Sequence, residues 1–209
     1  LDREQPRYEY QHADINGTSQ VVQVRNRLGA SLSFSYEGPD GALSRLTDQD
    51  GLSIHYQYDA LGNLTDVIYP DGTPAYLDDN PRKTYLYEHP DLPHHLTGIL
   101  DERGQRFATF AYDDDGRAIR TEHADGAERV EVQYPAEGEA IVRFYQDSDA
   151  GLYREEQYRY GQFRGAYRLT RKTITLCQDC TTGTETWRYN AEGLPERHTS
   201  PGGQITEWT

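Results

Sequence analysis

YDALGNLTDVIYPDG, residues Tyr58–Gly72, is the stretch of sequence that decides the fold, because close variants of it recur along the chain. Tyr112–Gly126 has the sequence YDDDGRAIRTEHADG, a third copy runs from Tyr189 to Gly203, and a fourth, with one extra turn residue, runs from Tyr36 to Gly51. In all four copies, nine positions separate the glycine of the first turn from the first residue of the second turn. One spacing that recurs in this way predicts a repeat protein.

Each copy contains two turn signals with different chemistry. In the first, the aspartate after the tyrosine can accept backbone N–H bonds, and the glycine supplies the positive φ that closes a type I turn with a bulge. The second, Asp-Gly, is typical of a two-residue type I′ hairpin turn. We therefore predict that the structural turn residues are Tyr58, Asp59, Gly62, Asp71, Gly72, Tyr112, Asp113, Gly116, Asp125, Gly126, Tyr189 and Gly193.

The segments between these turns have the pattern of β-strands. Two reversals per repeat leave strands of about six to eight residues, and residues 129–134 alternate polar and apolar side chains. No segment has a helical pattern of useful length, and no linker rich in Pro, Gly and Ser divides the chain. The sequence predicts an all-β fold of consecutive antiparallel β-hairpins, a single array over residues 1–209 with its clearest repeats at 36–72, 105–134 and 189–203.

The composition limits the classes of function. The formal net charge of −14 repels phosphate backbones and argues against nucleic-acid binding. No run of about 18 apolar residues is present, so no membrane-spanning helix is predicted. The 209 residues contain no methionine and start at Leu1, and we therefore expect the chain to be a segment of a longer protein.

A few residues could carry chemistry of their own. Cys177 and Cys180 lie between strand-like and turn-like segments, where a local disulfide across a hairpin end, or two free thiols, is preferred to a shared zinc site or a redox pair. His89, His94 and His95 share one loop and are interpreted as solvated side chains rather than metal ligands. No motif predicts a catalytic, cofactor-binding or metal-binding residue, so the sequence predicts neither an enzyme nor a cofactor.

The Tyr-Asp-x-x-Gly turn followed by Asp-Gly resembles the RHS repeat, also called the YD repeat. The resemblance is clearest from Tyr36 to Tyr134 and again from Tyr189 to Gly203, and the segment from Leu92 to Gly126 is especially similar to bacterial RHS polymorphic-toxin proteins. It implies that the hairpins form a curved, spiralling sheet, one segment of a hollow RHS/YD-repeat shell. In bacterial members this shell encloses a C-terminal toxic domain until delivery. The region in which family members cleave themselves has no match here, so no cleavage chemistry is assigned.

The sequence leaves three functions open. The first is a structural shell segment that encloses or presents a C-terminal toxin domain for interbacterial competition or secretion. Its partners would be the rest of the same polypeptide and a secretion apparatus, and the protein would be secreted or delivered from a bacterial cell, or held at the cell surface. The alternative is a carbohydrate- or cell-surface-binding module that uses Tyr-rich sheet faces. An independent hydrolase is the third, with no specific motif behind it.

The ends of a sheet segment bear on how the isolated chain behaves. A slice of a larger sheet exposes two unpaired edge strands, whose free N–H and C=O groups can pair with another chain. We therefore expect the isolated chain to self-associate through its edge strands.

Overall fold

The fold consists of β-strands joined by turns. The computed structural model describes residues 8–73, 76–146, 151–176 and 181–208, and their contacts divide the chain after Phe107 into two compact units. Within each unit, every strand pairs antiparallel with the next strand along the chain. The predicted all-β fold of consecutive antiparallel hairpins is confirmed.

The first unit contains strands β1 to β8 among its described residues. A two-residue turn at Asn16-Gly17 joins β1 to β2, and both turn residues have the left-handed backbone conformation that a type I′ turn requires. The strands are β1 (Tyr8–Ile15), β2 (Thr18–Asn26), β3 (Ser31–Ser35), β4 (Arg45–Asp48), β5 (Ser53–Tyr58), β6 (Leu64–Ile68), β7 (Arg82–Leu86) and β8 (Gly98–Leu100).

The second unit contains strands β9 to β17 among its described residues, the first of which begins just before the division. Its longest hairpin, β13 with β14, turns at Arg164-Gly165, again with both residues left-handed. The strands are β9 (Arg106–Tyr112), β10 (Ala118–His123), β11 (Val130–Gln133), β12 (Glu139–Tyr145), β13 (Leu152–Phe163), β14 (Ala166–Leu176), β15 (Thr181–Tyr189), β16 (Pro195–Thr199) and β17 (Ile205–Glu207).

Burial is sparse in both units. Val67 and Ile68 in the first unit and Ala108 in the second are the buried apolar residues of the described part of the chain. Because so little apolar surface is removed from water, the turns and the hydrogen bonds between strands carry an unusually large share of the stability. That residues 1–209 form a single array stays a prediction.

Candidate functional site

Seven turns that begin at Asp, Asn or Ser share one hydrogen-bond pattern in the described chain, and an eighth, which begins at Gly38, repeats it without a capping side chain. The first turn residue donates its N–H to the carbonyl four residues on, and the glycine at the fourth position donates its N–H back to the first residue's carbonyl. Every one of these glycines has a left-handed φ, between 74 and 88 degrees. The first residues of the seven turns are Asn26, Asp48, Asp59, Asp101, Asp113, Asn190 and Ser200.

The side chain of the first residue explains why Asp and Asn predominate there. In the Asp59 turn, Oδ1 accepts the N–H groups of Leu61 and Asn63, both at 2.9 Å, and the other Asp and Asn turns repeat this pair of bonds. Ser200 makes only one of the two bonds, from its hydroxyl oxygen to the N–H of Gln204. The side chain thus satisfies backbone donors that the turn would otherwise leave free.

Hydrogen bonding also alters the acidity of these turns. The hydrogen bond from the Asn63 side-chain amide is the main reason that the pKa of Asp59 lies below its usual value. The hydrogen bond from the backbone N–H of Gln105 is the main reason that the pKa of Asp101 is lowered. A carboxylate with a lowered folded-state pKa stabilises the fold above its unfolded-state pKa, and this contribution is lost as the pH falls through the lowered value. Acid therefore weakens these turns.

The second turn of the repeat is less uniform than the sequence predicts. At Asp125-Gly126 both residues are left-handed, with φ of 58 and 77 degrees, but β10 ends at His123 and β11 begins only at Val130, so the predicted two-residue turn is wrong here. At Asp71-Gly72, β6 ends at Ile68 and β7 begins only at Arg82, and the φ of Gly72 lies outside the left-handed range. The carboxylate of Asp71 accepts the N–H of Thr73 instead. The prediction of a two-residue type I′ turn at this place is also wrong, because a longer connection, residues 69–81, joins the two strands.

The repeat tyrosine connects its turn to an earlier part of the sheet. The hydroxyl of Tyr58, at the end of β5, donates a 2.8 Å hydrogen bond to the carbonyl of Leu43, just before β4. Three further tyrosines make the same kind of bond, which we call the tyrosine clip. They join Tyr36 to Val21, Tyr134 to Ala118 and Tyr189 to Leu169. The clip gives the tyrosine hydroxyl a polar partner and joins the ring to a backbone carbonyl of an earlier segment.

Removal of one clip tests its contribution. We expect Tyr58→Phe to lower the free energy of unfolding by about 1 kcal/mol, because the Leu43 carbonyl loses its partner while the ring stays in place. The matched control is Tyr10→Phe, whose side chain is exposed and whose loss of a hydroxyl should change little. Urea denaturation of both variants measures the difference, and equal losses would show that the hydroxyl of Tyr58 contributes nothing special.

The histidine loop is fixed against the Asp59 turn. His94 Nδ1 lies 2.7 Å from Asn63 Oδ1, and the amide of Asn63 donates to Asp59 Oδ2 at 2.8 Å and to the Pro93 carbonyl at 3.0 Å. Asn63 is buried. In the described ranges, no group of three or more His, Cys, Asp or Glu residues is arranged to hold a metal ion. His94 therefore has a structural role here that the sequence did not reveal.

The structure does not test the prediction for the two cysteines. Cys177 and Cys180 lie outside the described residues. A local disulfide, or two free thiols, stays a prediction.

A groove lined by tyrosines lies on one face of the second unit. It crosses β11 to β14, has a volume of about 690 Å³, and includes the rings of Tyr134, Tyr158, Tyr160 and Tyr167. The rings of Tyr158 and Tyr160 are nearly parallel, with centroids 6.4 Å apart and an angle of 13° between their planes. Tyr160 and Tyr167 are exposed, at 39% and 46%. Flat, accessible rings of this kind can stack on a ligand.

The polar groups of this tyrosine groove are largely engaged with one another. The Tyr158 hydroxyl donates to the buried carboxylate of Glu156, which also lies 3.2 Å from the Lys172 ammonium. Burial, with Glu156 as a further cause, raises the pKa of Tyr158. A hydrogen bond to Glu137 raises the pKa of Tyr167. Both hydroxyls therefore stay protonated at neutral pH, and the groove is suited to stacking and hydrogen bonding.

One family model matches part of the first unit. The family model of the RHS repeat matches residues 39–74. This stretch of the chain is therefore similar to an RHS repeat. The matched RHS stretch holds two of the seven glycine-closed turns, at Asp48 and Asp59, together with Tyr58 and its clip.

Similar solved structures include TcdB2-TccC3, a Tc holotoxin pore and a porin-like protein. TcdB2-TccC3 without its hypervariable C-terminal region is 14% identical, with a TM-score of 0.46, and the match covers 98% of this chain and 12% of that chain. The Photorhabdus luminescens Tc holotoxin pore is 12% identical, with a TM-score of 0.26 and coverage of 89% and 14%. A porin-like protein from Bacteroides uniformis is 11% identical, with a TM-score of 0.26 and coverage of 96% and 81%. The chain therefore spans about an eighth of the length of the first of these structures.

Two further findings are negative: one concerns curated proteins and the other concerns membrane-spanning helices. No curated protein matches the chain. Within the described residues, the structure contains no helix with the length and apolar character needed to cross a membrane.

Proposed function

We propose that this chain is a structural shell segment of an RHS-repeat protein that encloses or presents a C-terminal toxin domain. The observation that carries the proposal is that the repeat residues are used to hold strands together. The Asp and Asn side chains close turns, and the tyrosine hydroxyls bind carbonyls of earlier segments. These contacts give the repeat residues a structural use, and the role that we propose is not enzymatic.

The shell role implies particular partners and a particular location. The partners are further repeats of the same polypeptide and the domain that they enclose, with a secretion apparatus for delivery. The protein is then secreted or delivered from a bacterial cell. The match of residues 39–74 to the RHS repeat supports this proposal for the chain.

Limited proteolysis of the full-length polypeptide tests the shell role. We expect the C-terminal domain to resist protease in the native protein and to be cleaved at a much lower protease concentration in Gly116→Val, because φ at Gly116 is 77 degrees and valine opens that turn. The control is Gly151→Val, because φ at Gly151 lies outside the left-handed range and an added Cβ meets nothing within 4 Å. A C-terminal domain that is cleaved equally in the native protein and in Gly116→Val would overturn the proposal.

Carbohydrate binding is the second candidate, and the tyrosine groove is the observation that favours it. Aromatic rings stack on the apolar faces of sugar rings. The groove offers the nearly parallel rings of Tyr158 and Tyr160, and the hydroxyls of its tyrosines can form hydrogen bonds with a sugar. We expect any glycan bound by the chain on an array to bind at least tenfold more weakly to Tyr160→Ala, while Tyr10→Ala, which removes an exposed ring of the first unit, has no effect. Glycan binding that Tyr160→Ala leaves intact would exclude the groove as the site.

A further inference from the structure

Two arginines face each other directly across strands β13 and β14. Arg159 pairs in register with Arg171, and both side chains are exposed on the same face of the sheet. Directly opposed residues of an antiparallel pair have Cβ atoms about 4.5–5.5 Å apart, so the two guanidinium groups share one space. Like charges in this position destabilise a sheet. The pair therefore costs stability unless a negative group lies between the two side chains.

The neighbours of this pair supply only one negative charge. Along the same row, Glu139 lies beside Arg159, with its carboxylate 3.3 Å from Arg159 Nε, and Thr186 lies beside Arg171. Within the described part of the chain, Arg171 has no ion pair.

Arginines nearby are arranged differently. Arg143 in the neighbouring row pairs with Glu155 at 2.8 Å, and Arg154 on the other face lies 3.3 Å from Glu156. Each of these arginines has a carboxylate directly across the strands or two residues away. A second opposed pair of this unit, Arg188 with Arg197, likewise has one carboxylate neighbour, Glu207, which lies 3.8 Å from Arg197 Nε.

A polar groove of about 270 Å³ surrounds the pair. It is lined by Gln157, Arg159, Arg171 and Thr173, which alternate in sequence with the residues of the tyrosine groove and so lie on the opposite face of the sheet. The amide of Gln157 and the hydroxyl of Thr173 are hydrogen-bond donors as well as acceptors. Because the Gln157 amide already donates to Glu155 and the Thr173 hydroxyl lies 3.3 Å from that of Thr184, the two guanidinium groups are the main donors that the groove offers to a ligand.

We propose that this groove binds a tetrahedral oxyanion, a sulfate or phosphate group, between Arg159 and Arg171. Guanidinium groups bind such oxygens through paired, charge-assisted hydrogen bonds, and one anion can accept from both forks at once. The anion removes the repulsion between the two arginines and gives Arg171 the negative partner that the sheet does not provide. Since the groove is open to water, binding is in the millimolar range.

The Glu139 carboxylate competes with the anion for Arg159. It occupies one side of that guanidinium, so its removal frees hydrogen-bond donors and deletes a negative charge beside the site. Glu139→Gln should therefore bind the anion more tightly than the native chain. An increase in anion affinity in Glu139→Gln, with a decrease in Arg171→Gln, distinguishes a specific site from a general attraction of anions to basic residues.

Titration calorimetry of the 209-residue chain with sodium sulfate and with sodium phosphate tests the proposal, with sodium chloride at matched ionic strength as the reference. We expect binding to weaken about tenfold or more in Arg171→Gln, as expected for the loss of charge-assisted hydrogen bonds, and to tighten several-fold in Glu139→Gln. Arg168→Gln removes the same charge from an exposed position of β14 outside the groove and should stay within twofold of the native chain. Phenyl phosphate in place of inorganic phosphate distinguishes an ester ligand from the free ion.

Thermal unfolding provides a second measurement that does not depend on the calorimetric signal. Sulfate also stabilises proteins by exclusion from their surfaces, so the relevant quantity is the difference between the native chain and Arg171→Gln. We expect Arg171→Gln to be the more stable of the two without sulfate, because the repulsion is gone, and to gain less from sulfate. No binding beyond the chloride reference, or equal losses in Arg171→Gln and Arg168→Gln, would overturn the proposal.

Discussion

Ile68→Ala is expected to lower the free energy of unfolding of the first unit by about 3 kcal/mol. Ile68 is 1% exposed and is the most completely buried large side chain among the described residues. Truncation of a buried isoleucine to alanine costs about 2–5 kcal/mol, partly from lost transfer free energy and partly from the cavity. This loss is a large share of the free energy of unfolding of a typical domain, about 5–15 kcal/mol.

Urea denaturation measures this effect against Leu61→Ala. Leu61 lies in the Asp59 turn and is 59% exposed, so its truncation should change the unfolding free energy by less than about 0.5 kcal/mol. Similar small losses in the two variants would mean that Ile68 does not anchor a core. The slope of the transition should stay the same in both, because neither change alters the extent of the fold.

Gly62→Val is the second change with a large expected effect, about 2 kcal/mol of lost stability. The φ of Gly62 is +83 degrees, and an added Cβ would meet nothing within 4 Å, so the cost comes from the backbone alone. A left-handed conformation costs an ordinary L-residue about 1–2 kcal/mol, and a β-branched residue more. Gly62→Asn should recover most of the loss, because asparagine tolerates this conformation.

Gly72→Val is the matched control for this prediction. Gly72 also has open space around it, but its φ is not left-handed, so valine there should be nearly neutral. Thermal or urea unfolding of the three variants separates backbone strain from side-chain volume. If Gly62→Val and Gly72→Val lose the same stability, the left-handed turn at Gly62 is not what makes the glycine necessary.

The sequence could predict the turns that are built from nearest neighbours. The five residues from Asp59 to Asn63 contain all the donors and acceptors of the Asp59 turn, so an Asp and a Gly three residues apart are enough to predict it. Asp71-Gly72 has the same local signal as Asp125-Gly126 but a different structure, because hydrogen bonds join the two ends of the connection from Tyr69 to Pro81. One of these is the 2.7 Å hydrogen bond from the amide of Asn80 to the Tyr69 carbonyl.

The clips and grooves could not be predicted because they depend on register. A tyrosine at a strand end needs a polar partner, but the choice of Leu43 as the partner of Tyr58 follows from how β4 and β5 align. Arg159 and Arg171 are opposed only because a bulge follows Arg159 in the β13–β14 pair. A shift of one residue would send one arginine to the other face.

The tyrosine clips have a consequence for how such an array can grow. Tyr36 reaches a carbonyl 15 residues earlier, and so does Tyr58, so each bond begins and ends within the length of about one repeat. A duplicated segment therefore contains both the tyrosine and the carbonyl of its hydrogen bond. A deletion of one unit removes both of them together. Contacts confined to neighbouring units also keep the entropic cost of chain closure low. Selection can then lengthen or shorten the array one unit at a time, with no need for matching changes elsewhere in the chain.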